Sequence, residues 1–319
     1  MGDGRIDGPT GWVVVGGAIN TDLVARTAQY PRRGETVTGS RFAMFGGGKG
    51  GNQAVAAARS GAAVSIVGGI GDDTFGAARL ADLTADGIDT STIQTIPGAS
   101  SGVALIAVED AGDNRIVYVP GATLLIEATR VLDHLSDAPI AVLLLTLELE
   151  RPVLEALIGR AMSDGALVVL NATPEPRRAS DLLRLVDVLI VNEGEALAIS
   201  GDEGSGDAVI DWRPIADGLR VRGAGAVLIT LGGAGALWVD ADGAATVSAP
   251  AVTVVDTTGA GDSLCGAFAA AVALGASRLD AVRLGVAAGS LACTVAGAQP
   301  SVPTRAAIDR LLTATDQTT

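Results

Sequence analysis

Val142-Leu-Leu-Leu-Thr-Leu147, Leu167-Val-Val-Leu170, Val188-Leu-Ile-Val191 and Val227-Leu-Ile-Thr-Leu231 are short apolar runs, each separated from the next by a segment long enough for a helix. Strands buried on both faces read as continuous apolar runs, and their alternation with helices predicts a mostly parallel central sheet in a three-layer α/β/α fold. The runs lead into Glu148, Asn171, Asn192 and Gly232. Ligands of open α/β sheets bind beyond the carboxyl ends of the strands, so these residues mark one rim of a site. An earlier run, Trp12 to Val15, predicts a first strand, with Asn20 and Asp22 just past its end. Those two side chains suit a polar ligand, and equally an ordinary turn.

Val64 to Val67 predicts a further strand, with Gly68-Gly-Ile-Gly-Asp-Asp73 as its turn. Glu35-Thr-Val-Thr-Gly39 reads as a short strand, and Gly102 to Val119 as two strands around a turn at Asp110–Asn114. Segments drawn from about 18–45 and 100–120 are expected to pair into a small antiparallel β lid that covers the ligand and excludes water. An exposed apolar face on such a lid invites a second copy, so a homodimer through it is expected. Between the lid segments lies Phe45-Gly-Gly-Gly-Lys-Gly-Gly-Asn-Gln-Ala54, followed by a helical stretch over Val55 to Ser60 closed by Gly61. Glycines ahead of a helix let backbone approach a ligand, and Lys49 and Asn52 are placed to bond it. A Walker A loop is not matched, because Lys49 is followed by Gly50 in place of Ser or Thr.

The 319 residues are 48% hydrophobic and only 18% charged, which favours compact packing over disorder. A net charge of −14 repels nucleic acid and anionic membranes, so neither is expected as a partner. Phosphate binding then has to come from backbone N–H groups and a few cations. Cys265 and Cys293 read as small apolar residues with no disulfide framework, in keeping with a cytoplasmic setting. With His134 as the one histidine, an HExxH metal site is excluded and a Ser-His-Asp triad disfavoured. Residues 1–11 read as a flexible leader, 12–303 as one catalytic domain, and 304–319 as a C-terminal helix and tail. Leu284 to Thr304 carries no charge, but Gln299, Pro300 and Pro303 break it, so a membrane span is not expected.

Asp256-Thr-Thr-Gly-Ala-Gly-Asp262 opens a helix that runs apolar through Leu274 and stops at Gly275. The first N–H groups of a helix have no internal partner and lie at the positive end of its dipole, so Gly259, Ala260 and Gly261 form a hole for developing negative charge. Asp262 beside them is placed to take a proton from a hydroxyl, the chemistry of a kinase. A plain helix cap is the alternative for these residues. Glu195, one turn into a helix opened by Asn192, suits Mg²⁺ held through water, and equally an ordinary acidic helix start. Thr230-Leu-Gly-Gly-Ala-Gly235 is a second glycine-rich turn suited to a nucleotide.

Gly47-Gly-Lys-Gly-Gly-Asn-Gln-Ala54 and Asp256-Thr-Thr-Gly-Ala-Gly-Asp262, in order with Asn20-Thr-Asp22, Asn192-Glu-Gly-Glu195 and Gly297-Ala-Gln-Pro-Ser-Val-Pro303, resemble the ribokinase-like (PfkB-type) sugar kinases from about Trp12 to Pro303. The resemblance implies ATP-dependent phosphorylation of a sugar hydroxyl, the 5-hydroxyl of D-ribose above other pentoses, fructose or nucleosides. By it, Asp262 is the base, and Asn20, Asp22, Gly48, Lys49, Asn52 and Glu148 contact the sugar. Asn192, Glu195, Thr230, Gly232, Gly235, Gly259 and Gly261 serve ATP and Mg²⁺. Asp256, Thr258, Ala292, Val295, Gly297 and Ser301 surround an activating K⁺. Thr123 departs from the family, which usually carries Asn there, and Gly285 to Ser290 lacks a polar side chain often found beside adenine. A sugar-binding sensor without catalysis is the competing class; the intact Asp262 argues against it.

Overall fold

The computed structural model describes residues 12–202 and 210–316. The expected leader and the end of the C-terminal tail lie outside them. The chain runs β1 (Trp12–Gly16), β2 (Asn20–Thr27), β3 (Arg41–Gly47), α1 (Lys49–Arg59), β4 (Val64–Val67), β5 (Gly69–Gly71), α2 (Thr74–Ala85), β6 (Gln94–Ile96), β7 (Gly102–Glu109) and β8 (Asn114–Val119). It continues through β9 (Ile140–Thr146), α3 (Arg151–Asp164), β10 (Leu167–Asn171), β11 (Val188–Asn192), α4 (Glu193–Ser200), α5 (Trp212–Val221), β12 (Ala226–Thr230), β13 (Ala236–Asp240) and β14 (Gly243–Val247). Helices α6 (Ala260–Ala273), α7 (Arg278–Ala292), α8 (Ala298–Ser301) and α9 (Arg305–Asp316) complete it.

Among the described residues the main sheet has the order β14-β13-β12-β11-β10-β9-β1-β4. It is parallel from β12 to β4 and antiparallel at β12–β13 and β13–β14. Successive side chains of a strand point to opposite faces, and the two cores follow that alternation. Val13, Val15, Val142 and Leu144 pack with α1, α6 and α7, whereas Val14, Leu143 and Leu145 pack with α3, α4 and α5. Such side chains are fully buried, each worth about 1.5–3 kcal/mol relative to exposure. The three-layer α/β/α expectation is met. No helix of the described residues is long and apolar enough to cross a membrane.

The lid is a separate sheet, β3-β2-β7-β8. Its outer pairs are antiparallel and its central seam, β2 with β7, is parallel. Three local expectations are corrected. Residues 35–39 form no strand; β3 comes later, at 41–47, where Arg41 to Gly47 pairs residue by residue with Asn20 to Arg26. The expected turn at 68–73 contains β5, paired in parallel with β6. Helix α1 starts at Lys49 and not at Val55, because its early glycines are packing residues: a β-carbon on Gly50 would stand 2.4 Å from the Gly17 carbonyl carbon.

Candidate active site

Two helices fix the position of Asp262. A β-carbon on Gly266 would come 2.3 Å from the Gln53 carbonyl oxygen, so the glycine lets α6 press onto α1. Asp262 lies one turn ahead of Gly266 on the same face and therefore meets the start of α1. Asn52 Nδ2 donates to Asp262 Oδ2 and Gln53 Nε2 to Oδ1, both at 2.9 Å. The Gln53 amide also donates to Asn171 Oδ1 at 2.9 Å, tying the carboxylate to the end of β10. Burial raises the Asp262 pKa, and Lys49, Asn52 and Gln53 pull it back in part. A carboxylate raised toward the working pH is suited to general-base work.

The amides at the start of α6 do not all point outward. That of Ala260 donates to the Thr257 carbonyl at 3.2 Å, while those of Gly259, Gly261 and Asp262 meet no acceptor among the described residues. Of the three amides expected to form an anion hole, that of Ala260 is engaged within the turn, and the Asp262 amide stands unengaged beside those of Gly259 and Gly261. Gly259 and Gly261 line a cavity of about 230 Å³ with Asp262, Lys49, Asn192, Glu195 and Thr230. Burial pulls the Lys49 ammonium down, but Asp262, Glu148 and Glu195 together leave its pKa raised, so it stays cationic. Asn192 caps α4 by accepting from the Glu195 amide at 2.8 Å, and Glu195 accepts from the Asn192 amide at 2.8 Å. Burial is the largest influence on Glu195 and raises its pKa. Gly232 and Gly235 do not line this cavity; a β-carbon on Gly235 would stand 1.9 Å from the Val247 carbonyl oxygen, which makes it a packing residue.

On the lid side a second cavity, about 340 Å³, is lined by Asp22, Val24, Phe45 and Ile106 and, across the gap, by Asp256, Thr258 and Gly297. The two cavities abut along residues 256–261. Burial pushes the Asp22 carboxyl up to about 6, Arg79 pulling down and Asp262 pushing up. Glu148 accepts from the amides of Ala18 at 2.9 Å and of Lys49 and Gly50 at 3.2 Å, and from the Thr146 hydroxyl at 3.0 Å. It therefore caps α1 from 99 residues away, in a helix whose own N-cap, Gly48, offers no side chain. One lone pair on Oε1 remains for a ligand.

Asp256 Oδ1 accepts from the Thr258 amide and hydroxyl at 3.0 and 2.7 Å, and Oδ2 from the Gly297 amide at 2.8 Å. This strap joins the loop before α6 to that before α8. It leaves one lone pair on Asp256 Oδ2 without a partner among the described residues. The carbonyl of Ala292 accepts from the Val295 amide at 3.3 Å, and the Ser301 hydroxyl donates to Ala298. No group of three or more His, Cys, Asp or Glu side chains able to hold a metal occurs among the described residues. Glu195 and Asp262, both lining the smaller cavity, fit Mg²⁺, which keeps most of its water and takes phosphate oxygens.

Gln53 and Arg79 were not singled out from the sequence. Gln53 stands in the glycine-rich motif, which is the signal that was available. Arg79 donates to the Thr21 hydroxyl and the Phe45 carbonyl, both at 3.0 Å, fastening β2 and β3 to α2. Its partners are 58 and 34 residues away, and no local pattern announces them.

Residues 11–305 match the family described as pfkB family carbohydrate kinase. The chain is 35% identical over 295 residues to the ribokinase of Haemophilus influenzae, covering 91% of this chain and 94% of that one. Among solved structures, ribokinase from Thermotoga maritima is 29% identical with a TM-score of 0.86, over 95% of this chain and 99% of that one. Arabidopsis thaliana ribokinase, solved with ribose and ATP, is 27% identical with a TM-score of 0.85, over 95% and 98%.

Proposed function

This chain belongs to the pfkB family of carbohydrate kinases and is a sugar kinase, and from that premise we propose that it transfers the γ-phosphoryl group of ATP to the 5-hydroxyl of D-ribose. The observation that carries the mechanism is the buried Asp262 carboxylate, held by two side-chain amides beside backbone N–H groups that have no acceptor among the described residues. Asp262 takes the proton of the sugar hydroxyl as the oxygen attacks phosphorus. The Gly259, Gly261 and Asp262 amides and Lys49 stabilise the charge on the phosphoryl oxygens, which supplies most of what such a transfer needs. Asn20, Asp22, Asn52 and the remaining Glu148 lone pair hold the sugar; Asn192 and Thr230 lie on the nucleotide side. Mg²⁺ at Glu195 would neutralise phosphate charge when bound. K⁺ beside Asp256 and Gly297 would steady the strap that positions the start of α6.

The same reading takes the molecule as a cytoplasmic homodimer joined through the lid. Its support is an exposed apolar row, Met44, Leu105 and Val117, in register across the sheet through Leu23.

A coupled ADP-release assay over ribose, other pentoses, fructose and nucleosides tests the substrate. Ribose is expected to give the highest kcat/KM, and equal or better turnover of another sugar overturns that choice. Replacing K⁺ by Na⁺ in the same assay is expected to lower kcat; identical rates would remove the cation from the reading.

A further inference from the structure

Tyr118 has no part in the reading so far, yet the register of the lid puts it in one row with Asp22, read above as a sugar contact. Phe45 pairs with Asp22, Asp22 with Ala104, and Ala104 with Tyr118, so the four residues form one row across β3, β2, β7 and β8. Residues directly opposite in a sheet point to the same face, and Asp22 and Phe45 face the main domain across the lid cavity. Asn20, two residues before Asp22, shares that face. Its carboxamide lies over β7: a β-carbon on Gly102 would stand 2.1 Å from Asn20 Oδ1. The Tyr118 phenol comes close enough to the Asn20 and Thr123 side chains to feel the hydrogen-bonding influence of both.

Two buried atoms in this corner lack a hydrogen-bond partner among the described residues, Asn20 Oδ1 and Thr123 Oγ1. The side chains that carry them are 5% and 1% exposed. The Tyr118 hydroxyl lies within the influence of both but closes a well-formed bond with neither. Buried polar atoms are normally paired, and unpaired ones around a phenol that is itself 42% exposed point to a ligand that supplies the missing groups.

We propose that Tyr118 is a sugar-selecting residue, whose phenol, steered by Thr123, donates to one hydroxyl of the bound sugar while that hydroxyl donates to Asn20 Oδ1. A sugar hydroxyl both gives and accepts, so a single one completes both bonds. A sugar lacking it leaves Asn20 unpaired, and this is how a polar site rejects a deoxy analogue more strongly than an apolar one does. Burial and Glu148 push the Tyr118 pKa up to about 12, Asn20 and Thr123 partly opposing, so the phenol remains a neutral donor at all working pH values. Thr123 is a positioning residue in this scheme. The inference rests on the sugar-kinase reading.

The test compares wild type, Tyr118→Phe and Thr123→Val on the best sugar of the panel and on its monodeoxy analogues, each lacking one hydroxyl other than the phosphorylated one. Tyr118→Phe should raise KM for the parent sugar about 5–10-fold with kcat within twofold and an unchanged melting temperature. Thr123→Val should move KM in the same direction by less. For one analogue, already poor with wild type, neither substitution should raise KM further, because the hydroxyl they act on is gone. An unchanged KM for the parent sugar with Tyr118→Phe overturns the proposal, as does an equal rise for the parent and every analogue, the mark of an indirect effect. Failure of the kinase reading is distinct, since wild type would then phosphorylate no sugar in the panel.

Discussion

Asp262 at the start of α6 and Asn20 at the start of β2 are about equally buried, at 8% and 5% exposure, but their polar atoms are treated in opposite ways. Each Asp262 oxygen already accepts an amide hydrogen bond, whereas Asn20 Oδ1 has no partner among the described residues. The contrast extends to their surroundings. Asp262 rests on helices packed against a sheet with both faces covered, while the lid exposes much of its surface, and every residue of β8 is exposed. On the proposed function, the base is held in advance by Asn52 and Gln53, whereas Asn20 Oδ1 is left for a sugar to complete. Fixed geometry serves the chemical step, and unpaired groups serve selection.

Removing the fixed side should have the largest effect. Asp262→Ala is expected to lower kcat by roughly 10³-fold or more while leaving sugar binding by calorimetry within a few-fold, since base and positioning are lost together. A variant that turns over at the wild-type rate would strip Asp262 of its role.

Lys49→Met probes the charge balance around the same carboxylate. As the proposed base, Asp262 works deprotonated, so activity is expected above its pKa and should fall as pH drops through it. Lys49 lowers that pKa, and its removal should raise it and move the acid limb of the kcat profile to higher pH. At the plateau a fall of about 10–100-fold is expected from the lost charged donor. An acid limb that stays in place would show that another group sets it.

Gly102→Ala acts on the ligand-completed side. The new β-carbon must displace the Asn20 carboxamide, so KM for the sugar should rise about fivefold to tenfold with kcat nearly unchanged. A loss confined to kcat would break the division between the two regions. The smallest catalytic change belongs to the outer face of the lid: Met44→Glu places a charge in its exposed apolar row. On the proposed pairing through this row, it should shift the protein toward monomer in sedimentation while kcat changes less than the other variants' values do. An unchanged oligomer would put any contact between copies elsewhere.

Much of this architecture was legible in the chain. The apolar runs from Val142 to Leu231 gave the parallel sheet because strands with both faces covered need no alternation, a property of composition alone. The helix opened at Asp262 was legible because its glycines, its apolar face and its stop at Gly275 are all local. Residues 35–39 misled because a short alternating segment carries no record of whether a partner strand lies beside it. The true start of α1 is hidden in the sequence because Gly50 and Gly51 weaken a helix by propensity, and only the close approach of the Gly17 backbone to Gly50 and of the Gln299 side chain to Gly51 shows why they are there.

The sequence by itself determined the order of strands and helices, the motifs at the rim and the residue types the chemistry needs, since each is written in short-range pattern. Only the tertiary structure decided that Gln53 bridges Asp262 to Asn171, that Glu148 caps a helix from 99 residues away, and that Tyr118 stands in one row with Asp22. Those relations depend on which side chains fill the same volume and compete for the same hydrogen bonds, and separation along the chain does not specify that.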